Sequence, residues 1–161
     1  MTAAPSEQPG FQAPTPGERI FNRLFGVVVG LGFGLRHNYL LQVQGRRTGR
    51  LHSTPVNVLE LDGKRWLVAG RGRTQWVRNA EAAGEVVLKK GWRRQRVRVR
   101  SVADADKPRI LSAYLDRFTL TVQRYFPVPA GSPPTEFARV AARYPVFELI
   151  ASTSPGPPPF G

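Results

Sequence analysis

The stretch TPVNVLELDGKRWLVA, residues 54–69, carries the clearest structural signal in the chain. Two runs rich in β-branched and aromatic residues meet at Asp62-Gly63. A tight hairpin turn needs positive φ at both central positions, and Asp-Gly tolerates it. Thr54 to Leu61 and Lys64 to Ala69 are therefore predicted to form a β-hairpin. In the second strand Trp66 and Val68 share one face, and Leu67 and Ala69 share the other. Apolar residues on both faces belong to a sheet that is closed or well covered, not to one with a bare side.

Upstream, Tyr39 to Gln44 reads as a short strand entering the turn Gly45-Arg46-Arg47-Thr48-Gly49-Arg50, after which comes Ser53-Thr54-Pro55-Val56. Downstream, the hairpin runs out in Ala69-Gly70-Arg71-Gly72. Thr74 is then placed to N-cap a helix through Ala83, with Gly84 as its stop. Two reversals of the chain thus gather guanidinium groups, hydroxyls and backbone amides between Gly45 and Asn79. That is equipment for holding a polyanionic small molecule.

Further on, Glu85 to Lys89 and Arg93 to Val102 read as strands joined at Lys90-Gly91. Arg96, Arg98 and Arg100 alternate with Val97, Val99 and Ser101, so one face is basic. Solvent screening is the first explanation of that face and a neighbouring anion the second. Asp104 is predicted to N-cap a helix from Asp106 to Phe118, with Ile110, Leu111, Tyr114, Leu115 and Phe118 on its apolar face. Helical structure is expected to continue over Thr119 to Phe126. Another helix is expected over Ser132 to Arg143, with Phe137, Val140 and Ala141 inward, and a last strand over Val146 to Ile150. The order implies an α+β domain with an antiparallel sheet, in the form of a small barrel.

One domain is expected over residues 18–152, between disordered tails at 1–17 and 153–161, where Pro, Ala, Gln and Thr show no apolar period. Ile20, Leu24, Val27, Val28, Leu31 and Leu35 follow helical spacing, but the uncharged run Leu24 to Leu35 is too short to span a bilayer. A core-packing helix is the first reading of Ile20 to Leu35, and peripheral contact with a membrane the second.

The net charge of +13 is carried mainly by arginine, which forks phosphate and carboxylate, so an anionic partner is expected. Cysteine is absent and only two histidines occur, which argues against a thiolate or histidine metal centre. No Ser-His-Asp grouping or acid pair can be argued, and Gly45 to Gly49 lacks the Gly-Lys-Ser/Thr ending of a P-loop. An enzyme built this way needs a cofactor to carry the chemistry.

The turn Gly45 to Arg50, with Ser53-Thr54-Pro55-Val56 and Trp76-Val77-Arg78-Asn79 at compatible distances, resembles the deazaflavin-dependent nitroreductase family. The resemblance runs from Leu40 to Val102, and more loosely to Ile150. It implies a split β-barrel with peripheral helices that binds coenzyme F-420, with FMN as the second choice. It also implies hydride transfer to an electrophilic organic acceptor, as in nitroreductases and quinone reductases. By the same resemblance Arg46, Arg47, Thr48 and Gly49 hold the phosphate and acidic tail. His52, Ser53, Thr54, Pro55 and Val56 line the same groove. The strand end Val68, Ala69, Gly70 and Arg71 lies along the ring system, while Gln75, Trp76, Val77, Arg78 and Asn79 close over it. Tyr114, Tyr125, Phe126 and Phe137 are candidates for a substrate pocket, each equally readable as a core aromatic. His52 stands where the family commonly has arginine, Arg71 where it has lysine, Val77 where it has an aromatic and Ala80 where it has leucine. A cytoplasmic location is expected, with a peripheral position at the inner face of the membrane as the alternative, and a homodimer is left open.

Two other classes compete. A basic barrel with interspersed aromatics is also the outline of an oligonucleotide binder, but the arginines concentrate at one turn with no regular aromatic platform beside them. A non-catalytic barrel holding a lipid or another hydrophobic ligand is compatible with the apolar stretch before Arg36.

Overall fold

A computed structural model of the chain describes residues 36–152. The predicted hairpin is present: β2 (Leu51–Leu61) and β3 (Lys64–Val68) pair antiparallel around Asp62 at φ 56 and Gly63 at φ 72. The first half of β2 pairs with β1 (Asn38–Gln44), from Gln44 opposite Leu51 to Asn38 opposite Asn57. β2 therefore starts at Leu51, three residues before the expected Thr54, because the ladder with β1 begins directly after the arginine turn. β6 (Val146–Ala151) joins β3 to β5 (Arg93–Ser101), β5 pairs with β4 (Glu85–Lys90), and β4 pairs with β1. The result is a closed antiparallel barrel in the order β1-β2-β3-β6-β5-β4.

Closure explains the two apolar faces. Leu41, Val43, Val58, Leu67, Val86, Leu88, Val97 and Phe147 fill the interior. Leu59, Val68 and Val146 point outward into a second core, where Ile110, Leu111, Leu115 and Phe137 cover them. Helix α1 (Gln75–Ala83) sends Val77 and Ala80 into the interior cluster, so it stoppers one end of the barrel. Gly84, left-handed at φ 72, ends that helix with its N–H on the Ala80 carbonyl at 2.8 Å. Thr74 takes the extended backbone of an N-cap, but its hydroxyl makes no capping bond.

Three expectations need correction. Asp104 does not cap the next helix: it sits in a 3₁₀ turn, and its carboxylate accepts from Lys107 Nζ at 2.6 Å. Lys107 is buried, and a buried ammonium needs that partner more than the helix needs a cap. Helix α2 (Lys107–Arg117) stops at Phe118, which leaves helical geometry at φ −117, ψ 26, so Thr119 begins a separate short helix α3 (Thr119–Val122). The long helix expected over Ser132 to Arg143 is one turn, α4 (Pro134–Phe137), followed by a 3₁₀ turn at Ala141–Arg143. The bonds Val140 N–H to Phe137 O, Arg143 N–H to Val140 O and Tyr144 N–H to Ala141 O all span three residues. This tighter winding still lays Phe137, Val140 and Ala141 against the core as expected, and Tyr144 with them.

The arginines of β5 are relieved by carboxylates on neighbouring strands as well as by solvent. Arg96 faces Glu85 at 3.6 Å, and Arg100 donates to Glu148, which Lys64 also approaches at 3.4 Å. Partial burial works to raise the Glu148 carboxyl, but the hydrogen bonds from Arg100 and Lys64 outweigh it and hold the group below its ordinary range. The stretch Ile20 to Leu35 and both tails lie outside the described residues. Among the described residues no helix is long and apolar enough to cross a membrane, and no group of His, Asp and Glu is placed to hold a metal.

Phe147 is fully buried where the barrel interior meets α1. Phe147→Ala is expected to lower the unfolding free energy by about 3–5 kcal/mol in urea melts, while Leu120→Ala, at a fully exposed position, leaves the midpoint unchanged. Equal melts for the two variants would refute the assignment of the core.

Candidate functional site

The loop Gly45–Arg50 joins β1 to β2 and is braced by its own backbone. Gly45 N–H donates to the Arg50 carbonyl at 2.7 Å, and Gly49 N–H donates to the Gly45 carbonyl at 2.9 Å. Gly49 sits at φ 69, which glycine adopts without strain. Gly45 is needed for space instead: a Cβ there would stand 2.9 Å from His52 Nε2 and 3.0 Å from Thr48 Oγ1. The His52 ring therefore lies directly against the loop.

Arg46 ties this loop to α1. Its backbone N–H donates to Asn79 Oδ1 at 3.2 Å, and its Nη1 donates to the same oxygen and to Gln75 Oε1, both at 2.9 Å. Asn79 is buried and the partners are 33 residues apart in sequence, so the contact fixes the loop against the helix. Both acceptors are neutral amides, which hold the guanidinium without cancelling its charge. Among the described residues Arg46, Arg47 and Arg50 have no carboxylate partner. The first turn of α1 lies beside Arg46, with amides that have no acceptor inside the helix. The Thr74 hydroxyl at that helix start is buried without a partner.

The remaining candidates divide by what their side chains touch. Val68 and Ala69 face the two cores, Val77 is fully buried, and Trp76 packs 6.1 Å from the Phe147 ring, so these side chains serve the fold. Only backbone is on offer from Val68 and Ala69. Arg78 is exposed. Ser53 accepts a long bond from Gln42 Nε2 at 3.4 Å, while Gln42 Oε1 is buried without a partner. Thr54, Pro55 and Val56 lie in the ladder opposite Leu41, Leu40 and Tyr39, with Pro55 exposed and Val56 packed toward the interior.

Beyond the strand end the chain turns at Gly72, φ 80, and a shallow, open cleft of about 390 Å³ lies between Gly70, Arg71, Gly72, Tyr125, Arg143 and Tyr144. Tyr144 donates its hydroxyl to the Tyr125 carbonyl at 2.6 Å and stacks on Phe126 at 4.4 Å, while Arg124 lies over the Tyr125 ring at 4.8 Å. Of the four aromatics expected around a substrate, Tyr125 lines this cavity. Tyr114, Phe126 and Phe137 are buried in the helical core behind it. Burial pushes the Tyr114 hydroxyl up to about 12, against an opposing hydrogen bond from Asn57, so it keeps its proton at neutral pH. Arg143 and Tyr144 escape a reading of the sequence because a 3₁₀ turn stands where a helix was expected. Their nearest signal is the break at Pro145.

The model of a family described as F420H(2)-dependent quinone reductase matches residues 18–124, more than half of the chain, including the arginine loop, α1 and both hairpins. No curated protein matches. Among solved structures, a protein of unknown function from Agrobacterium tumefaciens strain C58 is 18% identical, with a TM-score of 0.51, over 71% of this chain and 48% of its own. That degree of likeness shows a shared fold, and this chain spans about half the length of that protein. A structure titled as an F420-H2 dependent reductase is 17% identical over 71% of this chain and 94% of its own, with a TM-score of 0.48. One described as a domain-swapped dimer is 17% identical over 82% and 95%, with a TM-score of 0.49.

Asn79→Ala leaves the Arg46 backbone and guanidinium without their shared acceptor. A loss of about 1–3 kcal/mol in unfolding free energy is expected, with faster amide exchange at Arg46. Unchanged exchange at Arg46 would show that the loop is held by its internal bonds alone.

Proposed function

The chain belongs to this quinone reductase family, and we propose on that footing that it transfers a hydride between coenzyme F-420 and an electrophilic organic acceptor. The observation that supports this reading is the bond set from Arg46 to Gln75 and Asn79, which ties the arginine loop to the start of α1. A multiply anionic cofactor would find its counter-charges between the loop and the helix start. The guanidiniums of Arg46, Arg47 and Arg50, whose charge no carboxylate cancels among the described residues, and the free amides of the helix start are all donors. This set suits a phosphate with an acidic tail better than the single phosphate of FMN.

Arg46, Arg47, Thr48 and Gly49 would hold the phosphate and tail, with His52 to Val56 along the same groove and Gln75 to Asn79 closing it. The backbone of Val68 to Arg71 would flank the ring system. When bound, the reduced deazaflavin supplies the hydride. The acceptor would lie in the cavity beyond Gly70, where the absent side chain leaves room for a flat molecule. There Tyr125 and Tyr144 would form one wall, and Arg71 and Arg143 would face the negative charge that develops on the acceptor. Tyr114 is out of reach as a proton donor, being buried and tightly protonated. The Tyr125 hydroxyl or solvent fills that role.

Titration of F-420 against the purified protein, followed by cofactor fluorescence, is expected to give micromolar or tighter binding. Arg46→Ala and Arg47→Ala should each lose about 1.5–3 kcal/mol of it. Failure of the wild type to bind would sink the proposal, and undiminished affinity in both variants would place the tail elsewhere. Arg143→Ala is expected to lower kcat/KM for a quinone acceptor about tenfold or more at unchanged F-420 affinity. Loss of cofactor affinity in that variant would put the cofactor, not the acceptor, in the cavity.

A further inference from the structure

The hairpin of β4 and β5 has a feature that neither the barrel nor the cofactor groove uses. Its tip is Gly91-Trp92, with Gly91 at φ 57, and Trp92 is 101% exposed. A tight turn is satisfied by small or polar residues, so an indole wholly in water has no folding role here. Lys90 faces Arg93 and Lys89 faces Arg94 in the two rungs directly beneath it, so four cationic residues, one pair on each face of the hairpin, adjoin the turn that carries the indole. Over Glu85–Ser101 the hairpin carries seven cationic side chains and one carboxylate, Glu85, which Arg96 occupies. Lys90 touches the Arg36 carbonyl and the Tyr39 ring, but Arg93, Arg94 and Arg98 have no carboxylate partner among the described residues.

We infer that this tip is a docking surface for an anionic lipid bilayer. Tryptophan settles at the membrane–water interface, where its ring meets apolar carbon and its N–H stays wet. Lysine and arginine near an anionic surface each strengthen binding about fivefold, within a Debye length. A second copy of the chain is disfavoured because two such tips repel. Single-stranded nucleic acid calls for successive stacking platforms, and this tip offers one ring. Geometry leaves the cofactor groove clear. Lys89 lies opposite Leu40, near the start of β1, whereas the arginine loop follows the end of β1, so the two basic regions sit at opposite ends of the barrel.

The test uses the full chain, wild type and the variants Trp92→Ala and Arg93→Ala/Arg94→Ala, with F-420 fluorescence titration as a check on folding. Co-sedimentation is measured with vesicles of pure phosphatidylcholine and with vesicles containing one third phosphatidylglycerol. Expected are binding of the wild type to the anionic vesicles alone, a blue shift of tryptophan emission on binding, and weakening by high salt. Trp92→Ala should bind at least tenfold more weakly, and the double arginine variant about twenty-five-fold more weakly, both with unaltered F-420 affinity. Three outcomes would overturn the inference: no binding to anionic vesicles, undiminished binding by Trp92→Ala, or capture of an oligonucleotide in place of vesicles. The first leaves the cofactor assignment intact, because the two readouts are independent.

Discussion

The ladder between β1 and β4, in which Leu40, Leu41 and Gln42 face Lys89, Leu88 and Val87, is the constraint on which the remaining structure hangs. The other strand pairs would exist in an open sheet, but this one converts the sheet into a tube. It turns Leu41, Val43, Val86 and Leu88 toward a common interior and removes two edges that would otherwise expose unpaired backbone. Only a tube has an end for α1 to stopper with Val77 and Ala80. Only with α1 seated there do Gln75 and Asn79 arrive beside the loop that follows β1. The contact between the arginine loop and α1, where we propose the cofactor binds, is thus a product of barrel closure, two steps removed.

Charge is distributed with a clear division. Carboxylates elsewhere are spent on neighbouring cations: Glu81 on Arg73, Asp62 on Arg109, Glu136 on Arg139, Glu148 on Arg100 and Lys64. Most of these pairs are exposed and worth little to stability. Their effect is local neutralisation of the periphery. The arginine loop is treated differently, because Arg46 is positioned by amide oxygens that orient a guanidinium while leaving its charge in place. A carboxylate at residue 79 would hold Arg46 more tightly and cancel the field that an anionic cofactor needs.

How much of this could be read from residues alone depends on the range of the forces involved. Asp62-Gly63, Gly84 and the alternation in β5 are local signals, and the structure follows them closely. The arginine loop and the family resemblance were legible for the same reason, since their spacing lies within one continuous stretch. The partner of β1 across the closure was not, because nothing in Leu40 to Gln42 distinguishes β4 from another strand. Asp104 misled because a good cap residue was claimed by buried Lys107, a demand visible only once the helix is packed. Among the aromatics, Tyr114, Phe126 and Phe137 have the same local context as Tyr125. Which ring faces a core and which a cavity is decided by the tight turns around them.

An excess of positive charge can therefore serve two ends of one barrel in different ways. At the arginine loop Arg46 is fixed and directional, as recognition of a phosphate or carboxylate requires. At the Trp92 tip the cations flank the turn in successive rungs, on both faces of the hairpin, without being organised around a common point. Such an arrangement cannot select one small anion, but it suits a surface whose charge is spread over many headgroups. A rigid fork is costly to build and confers specificity. A loose cluster is cheap and responds to average surface charge. The closed barrel separates the two basic regions, so that the proposed contact at one end need not compete with the proposed cofactor binding at the other.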